Sequence, residues 1–222
     1  MSKKTFYVTT PLYYVNAKPH VGTLYSTLLA DVAARWHRFC DDEVFFLTGT
    51  DEHGQKIAQQ AADANMSPQQ FVDSVVPSFE EAWKKYGISY DHFIRTTQAD
   101  HKQTVTRWIE QLIAKGDIYK DRYEGLYCVP CETFITTEQA EEGEQGALCP
   151  SCHRAVEQIS EENYFFRLSA YQDQLLAFYE DNPTFIIPKE RRNEVISFVK
   201  SGLKDLSISR TSVDWGIPFP GD

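Results

Sequence analysis

The sequence predicts an α/β fold, part of a Rossmann-like parallel sheet interrupted by a small cysteine-rich insertion. Three observations carry that expectation. Strand-like runs alternate with helical patterns over the first half of the chain, which is the signature of a parallel sheet. From residue 117 the character changes, helical periodicity is lost, and Gly, Glu and Cys accumulate. The chain has 222 residues, of which 42% are hydrophobic and 14% aromatic, enough apolar matter for a real core and too much for a disordered or low-complexity segment.

The elements follow in order. Residues 4–10 are expected to form a short strand that ends at Pro11. A polar, aromatic loop closes on Lys18-Pro19-His20, after which Val21, Leu24, Leu28, Val32 and Trp36 recur at three- and four-residue steps. That is the period of a helix with this stripe as its buried face. The run over residues 43–48, centred on Val44-Phe45-Phe46-Leu47, reads as a strand buried on both faces, and it stops at Gly49-Thr50-Asp51-Glu52-His53-Gly54. A second helix is expected over about residues 55–64. Ser67, Pro68 and Gln70 offer an N-cap, a first-turn proline and a reciprocal capping glutamine for a third.

A further strand is expected over residues 91–95 and a helix over residues 97–115, ending at Gly116. Residues 117–160 read as an inserted module. A strand over residues 163–168 follows it, and Ser169 is expected to cap a helix that breaks near Asn182-Pro183. Another helix runs over about residues 191–201, and residues 206–210 return to the sheet. The expected domains are residues 1–116, the N-terminal half of the sheet domain; residues 117–204, the insertion, with its cysteine knuckle at about 126–156; and residues 205–222, the start of a return, cut short.

Thirty-two acidic against 22 basic residues give a formal charge of −10, so adhesion to nucleic acid through bulk charge is not expected. The apolar run near the N-terminus is too short for a signal peptide, and no stretch approaches the ~18 apolar residues that span a bilayer. That argues against a membrane partner, and of the five cysteines four stand in two Cys-x-x-Cys pairs, which argues against a secreted disulfide scaffold and for a reducing setting, cytoplasmic or in an organellar matrix. Composition sets no oligomeric state.

Cys128-Val-Pro-Cys131 and Cys149-Pro-Ser-Cys152 are separated by 17 residues, the spacing of a four-thiolate structural Zn2+ site. Redox dithiols and incidental buried cysteines are the competing readings. His153 is read as a surface residue, Cys40 as an unliganded thiol, and Glu138, Glu141, Glu142 and Glu144 as a solvated tip. Pro19-His20-Val21-Gly22-Thr23 lies where a strand's exit loop becomes a helix. Backbone N–H groups and the helix dipole there favour an anion. The second strand exit, Thr50-Asp51-Glu52-His53-Gly54, opens on the same edge if the two strands are parallel. Tyr13 and Tyr14 taken singly read as core, Asp51 as a possible N-cap of the next helix, and Glu52 and His53 as either site or scaffold.

Taken together, Tyr13-Tyr14-Val15-Asn16-Ala17-Lys18-Pro19-His20-Val21-Gly22, Phe45-Phe46-Leu47-Thr48-Gly49-Thr50-Asp51-Glu52-His53-Gly54, the paired Cys-x-x-Cys motifs, Leu206-Ser207-Ile208-Ser209-Arg210 and Trp215-Gly216-Ile217-Pro218 resemble the methionyl-tRNA synthetases of bacterial and organellar type. These are class I aminoacyl-tRNA synthetases, ligases of protein biosynthesis, and the resemblance runs through the whole chain in order. It implies that the insertion is the connective-peptide domain. It implies that His20, Gly22 and Thr23 form the HIGH signature that holds ATP phosphates, with His20 and Thr23 as catalytic positions. Thr23 stands where that signature usually has a second histidine; a hydroxyl can hydrogen-bond phosphate but carries no charge. Pro11, Leu12 and Tyr14 would border a methionine pocket, Asp51 would take the substrate ammonium, and Arg210 would sit at the edge of the site. Mg2+ is implied with the triphosphate, and tRNA(Met) as the second substrate.

The resemblance also implies a second signature, a Lys-Met-Ser-Lys-like loop, and a helical anticodon-binding domain; neither lies within these 222 residues, Phe198-Val199-Lys200-Ser201-Gly202 being the nearest run to the loop. The chain by itself is therefore expected to be inactive. Lys189, Arg191, Arg192, Lys200, Lys204 and Arg210 form a locally basic stretch, read first as a solvated helix face. The rival readings are another class I synthetase or related nucleotidyltransferase, and a non-enzymatic zinc-ribbon binding module.

Overall fold

The computed structural model describes residues 3–131, 133–135, 139–143, 146–210 and 214–221. Two compact units emerge, Met1–Thr106 with Val213–Pro218, and Arg107–Ser212 with Phe219–Asp222. The first is built from β1 (Thr5–Thr9), β2 (Tyr13–Tyr14), α1 (Val21–Phe39), β3 (Glu43–Asp51), α2 (Gln55–Asp63), α3 (Pro68–Lys85), β4 (His92–Arg95) and the start of α4 (Ala99–Lys115). All its strand pairings are parallel. β1 and β4 flank β3, and β2 continues along the β1 side of β3 with Tyr13 opposite Thr50 and Tyr14 opposite Asp51. Gly49 is required where β4 closes on β3, because a Cβ there would lie 2.0 Å from the Ile94 carbonyl oxygen.

Its core is aromatic. Trp83 and Phe79 of α3 meet Tyr13 and Phe46, all buried. The Ser67 hydroxyl accepts from the Gln70 amide, the Gln70 side chain accepts from the Ser67 amide, and Pro68 opens α3. Trp83 has no exposed surface, so Trp83→Ala is expected to cost about 3–5 kcal/mol, measured by denaturant unfolding of the full-length protein.

Three expectations for this unit are corrected. The α1 stripe of Val21, Leu28, Val32 and Trp36 is exposed, with Val21 at 83% and Trp36 at 62%, and only Leu24 of the five packs against the core. The docked face is Thr27, Ala30, Asp31 and Ala34, also at helical spacing, whose small side chains allow α1 to lie close to the sheet. Asp31 is tolerated there because Arg35 Nε and the Ser89 amide and hydroxyl all donate to it, each at 2.6 Å. β3 is not buried on both faces, since Phe45 shares an exposed face with Tyr7 while Phe46 points into the core. Gly54, not Asp51, occupies the N-cap position of α2.

The second unit is dominated by a long antiparallel ribbon of β5 (Ile118–Cys128) and β9 (Glu157–Phe166), with β6 (Thr133–Ile135) on the far side of β5. A hairpin of β7 (Glu141–Gly143) and β8 (Gly146–Leu148) precedes the second cysteine pair, and α5 (Gln172–Asp181) and α6 (Lys189–Lys200) follow β9. Ser169 does not cap α5; it lies inside a 3₁₀ turn, Leu168–Tyr171, and its amide donates to Asp205. The run at 206–210 does not return to the parallel sheet. β10 (Leu206–Ser207) pairs antiparallel with β9, because Leu206 and Ser207 find the free edge at Phe166 and Phe165. Arg210 lies over the Tyr127 ring and donates to the Ser209 carbonyl. Glu141 and Glu142 are exposed, and Glu138 and Glu144 lie outside the described residues. Among the described residues no helix is long and apolar enough to cross a membrane.

Candidate active site

Because β1, β2 and β3 run parallel, their carboxyl ends open on one edge of the sheet, the side where α/β folds bind ligands. Pro11 and Leu12 are exposed in the loop between β1 and β2. Alternation then separates the two tyrosines. Tyr13 turns inward, its hydroxyl 2.9 Å from Ser26 Oγ and 2.8 Å from Thr27 Oγ1, and is scaffold. Tyr14 is 54% exposed and stands in register beside Asp51, the half-buried last residue of β3.

The start of α1 lies at the next exit from the same edge. His20 is its N-cap: the Gly22 amide donates to Nδ1 at 3.0 Å, so Nδ1 carries no proton in this arrangement and Nε2 is the ring's other polar atom. Gly22 has a specific reason to lack a side chain, since a Cβ there would lie 2.9 Å from His20 Cε1 and displace the imidazole. The Thr23 hydroxyl completes a capping box, accepting from the His20 amide at 2.9 Å and donating to its carbonyl at 2.6 Å. No acidic side chain occupies the first turn, which leaves the dipole's positive end open to an anion.

Behind Asp51 the structure brings together residues that the sequence reading did not join. Glu52 is fully buried and receives Thr50 Oγ1 at 2.6 Å, Arg95 Nε at 2.7 Å, Arg95 Nη2 at 2.9 Å and Thr97 Oγ1 at 2.6 Å. Arg95 is held firmly charged, chiefly by its hydrogen bonds to Glu52. Trp215 anchors the same loop, its indole N–H donating to the Glu52 carbonyl and its own carbonyl accepting from the Gly54 amide at 3.3 Å. Its ring lies 5.2 Å from that of His53, whose Nε2 is buried with no hydrogen-bond partner among the described residues. Burial holds His53 below the usual histidine range, with Lys102 adding to the effect. One signal pointed here: Arg95-Thr96-Thr97 follows a third parallel strand and so exits on the same edge.

In the second unit the sulfurs of Cys128, Cys131, Cys149 and Cys152 lie within 4.8 Å of one another, with 3.5 Å between Cys128 and Cys152 and 3.8 Å between Cys131 and Cys149. Tetrahedral coordination at 2.3 Å places sulfurs about 3.8 Å apart, so the donor set fits a closed metal site. The thiols drive one another's ionisation apart. Contacts with Cys152 and Cys128 push Cys131 up to about 12. Cys149 falls to about 6; burial opposes this, and the Ser151 and Cys152 amides outweigh it. A cation at their centre would relieve that conflict. His153 is outside the cluster, its Nδ1 2.7 Å from Glu141 Oε2.

The family model described as tRNA synthetases class I (M) matches residues 6–222. The chain belongs to this family. The methionine–tRNA ligase of Caldanaerobacter subterraneus subsp. tengcongensis is 53% identical over 220 residues, and that of Thermotoga maritima 50% identical over 218. The match takes 99% and 98% of this chain, and the chain spans about a third of those relatives, 34% of each. Among solved structures, methionyl-tRNA synthetase of Mycobacterium tuberculosis in complex with methionyl-adenylate superposes with a TM-score of 0.93 at 46% identity, covering 98% of this chain and 43% of that one. The α/β fold with its parallel sheet is thus that of a class I synthetase of the M family.

Proposed function

We propose that this chain is the N-terminal part of the catalytic region of a methionine–tRNA ligase acting in the cytoplasm. A methionine carboxylate oxygen attacks the α-phosphorus of ATP, the bond to the bridging oxygen breaks and pyrophosphate leaves. A hydroxyl of the terminal ribose of tRNA(Met) then attacks the activated carbonyl, and AMP leaves. The observation that carries this reading is the shared edge on which Tyr14, Asp51 and the His20-capped start of α1 stand together.

On this reading the Asp51 carboxylate takes the methionine ammonium, and Pro11, Leu12 and Tyr14 offer an aliphatic and aromatic wall to the thioether. His20, Gly22 and Thr23 face the ATP phosphates, where His20 Nε2 donates and the first-turn amides bind oxygen anions. Thr23's hydroxyl, which here serves the cap, offers a donor without charge. Mg2+ arrives with the triphosphate. Cys128, Cys131, Cys149 and Cys152 would hold Zn2+, which supplies folding energy to the insertion rather than chemistry.

The test is ATP–pyrophosphate exchange by the full-length protein, offered each amino acid in turn. Exchange dependent on methionine is expected; dependence on another amino acid would favour a sister synthetase, and none at all the binding-module reading. In the same assay His20→Ala is expected to lower kcat about 10²–10³-fold with the methionine KM nearly unchanged, since a phosphate contact counts most in the transition state. His20→Asn, which keeps a good N-cap, separates this loss from the cap's own contribution of about 1 kcal/mol.

A further inference from the structure

A carboxylate buried without exposure at the tip of a strand, rather than deep in the core, needs an explanation. Glu52 lies directly between Asp51 and His53, and its burial is supported on every side. Both oxygens are saturated by Arg95 as a two-pronged donor and by Thr50 and Thr97. Its own amide donates to Thr96 Oγ1 at 2.9 Å, and its carbonyl receives the Trp215 indole. Arg95 reaches on to Asp73 of α3 at 2.6 Å, so the loop is tied to the following strand end and to a core helix at once. An apolar pair would hold a core together as well or better, because burying two charges is costly. Such a pair specifies geometry: the planar fork and the two hydroxyls accept the carboxylate in one orientation only.

We propose that Glu52 and Arg95 are positioning residues, whose buried two-pronged ion pair fixes the Thr50–Gly54 loop so that the neighbouring Asp51 carboxylate meets the amino-acid ammonium. The proposal rests on the assignment of Asp51 made above. Its consequence is specific to one substrate: loosening the loop moves the ammonium site and leaves the phosphate end at α1, which is held by its own capping box, in place.

The experiment uses the full-length enzyme, with methionine and ATP varied separately in pyrophosphate exchange. Glu52→Gln keeps the side chain's shape, removes the ion pair, and is expected to raise the methionine KM roughly 10- to 100-fold while the ATP KM stays nearly constant. Arg95→Lys keeps the charge without the fork and is expected to do the same more mildly; it decides the matter if Glu52→Gln fails to fold. In an Asp51→Asn background the Glu52→Gln effect on the methionine KM is expected to vanish, because the two act through one contact. Equal losses for both substrates, an unchanged methionine KM, or effects that simply add in the double variant would overturn the proposal. Wild-type enzyme without methionine-dependent exchange would overturn the functional reading and this proposal with it, whereas active wild type with no split overturns the proposal alone.

Discussion

Reduced, undamaged protein is expected to carry close to one zinc per chain, and a strong chelator is expected to unfold the cysteine module while the parallel sheet survives. The argument starts from what the module has to fold with. Among the described residues the cluster packed around the sulfurs is Cys128, Ile135 and Cys149, with half-buried Leu126, Ala140 and Val156 against it, little apolar surface with which to order a small β module. Four thiolates around zinc supply what is missing, since structural zinc sites contribute on the order of 10–16 kcal/mol at neutral pH. The first unit has its own aromatic core of Trp83, Phe79, Tyr13 and Phe46 and does not draw on the metal. Hydrogen exchange read segment by segment should therefore collapse for residues 126–156 and persist in β1 and β3, and Cys128→Ser should do the same. Acid acts in the same direction as the chelator: protons compete with zinc for each sulfur, so the metal is retained at neutral pH and lost as pH falls. Purified protein with negligible metal, or unchanged protection of the module after chelation, would refute the assignment.

What the sequence made legible, and what it did not, divides along a physical line. Elements marked by local chemistry were readable: the Ser67-Pro68-Gln70 start of α3 depends only on residues within one turn, and the two Cys-x-x-Cys turns bring their sulfurs together whatever surrounds them. The choice of α1's docking face was not readable. Periodicity identifies a helix, but Val21-Leu28-Val32-Trp36 and Thr27-Ala30-Asp31-Ala34 are both helical stripes, and the smaller one won because it lets the helix approach the sheet. Asp31 makes that face look polar in sequence, and the group that satisfies it, Ser89, lies 58 residues further on. The strand-end residues behaved alike. Their convergence follows from parallel pairing, whereas the Glu52–Arg95 pair spans 43 residues and Trp215 reaches Glu52 from 163 residues away, separations over which a single sequence carries no pairing signal. The family resemblance, by contrast, singled out Tyr14, His20 and Asp51 from their motifs alone, without any of this geometry.

Asp51→Ala in the full-length enzyme is expected to raise the methionine KM by tens to thousands of fold, about 2–5 kcal/mol, with ATP use far less affected. An ammonium taken out of water must find a charge partner, and truncating that partner leaves it desolvated and alone, which is why the cost exceeds that of an exposed ion pair. The position allows a clean experiment. Asp51 closes β3 in register with Tyr14, and its backbone pairing does not depend on its side chain. It is not the cap of α2 either, because Gly54 holds that place, so the substitution does not remove a helix cap, a loss that would cost about 1 kcal/mol of stability. Methionine-dependent exchange at low methionine should fall away and partly return at saturating methionine, and thermal unfolding of the same variant measures how much stability the side chain's own contacts supply. Asp51→Asn, of the same shape without the charge, should resemble Asp51→Ala if charge is what the ammonium needs. Equal damage to methionine and ATP kinetics, or a loss of stability large enough to account for the lost activity, would make Asp51 part of the scaffold and remove the ammonium site from this edge of the sheet.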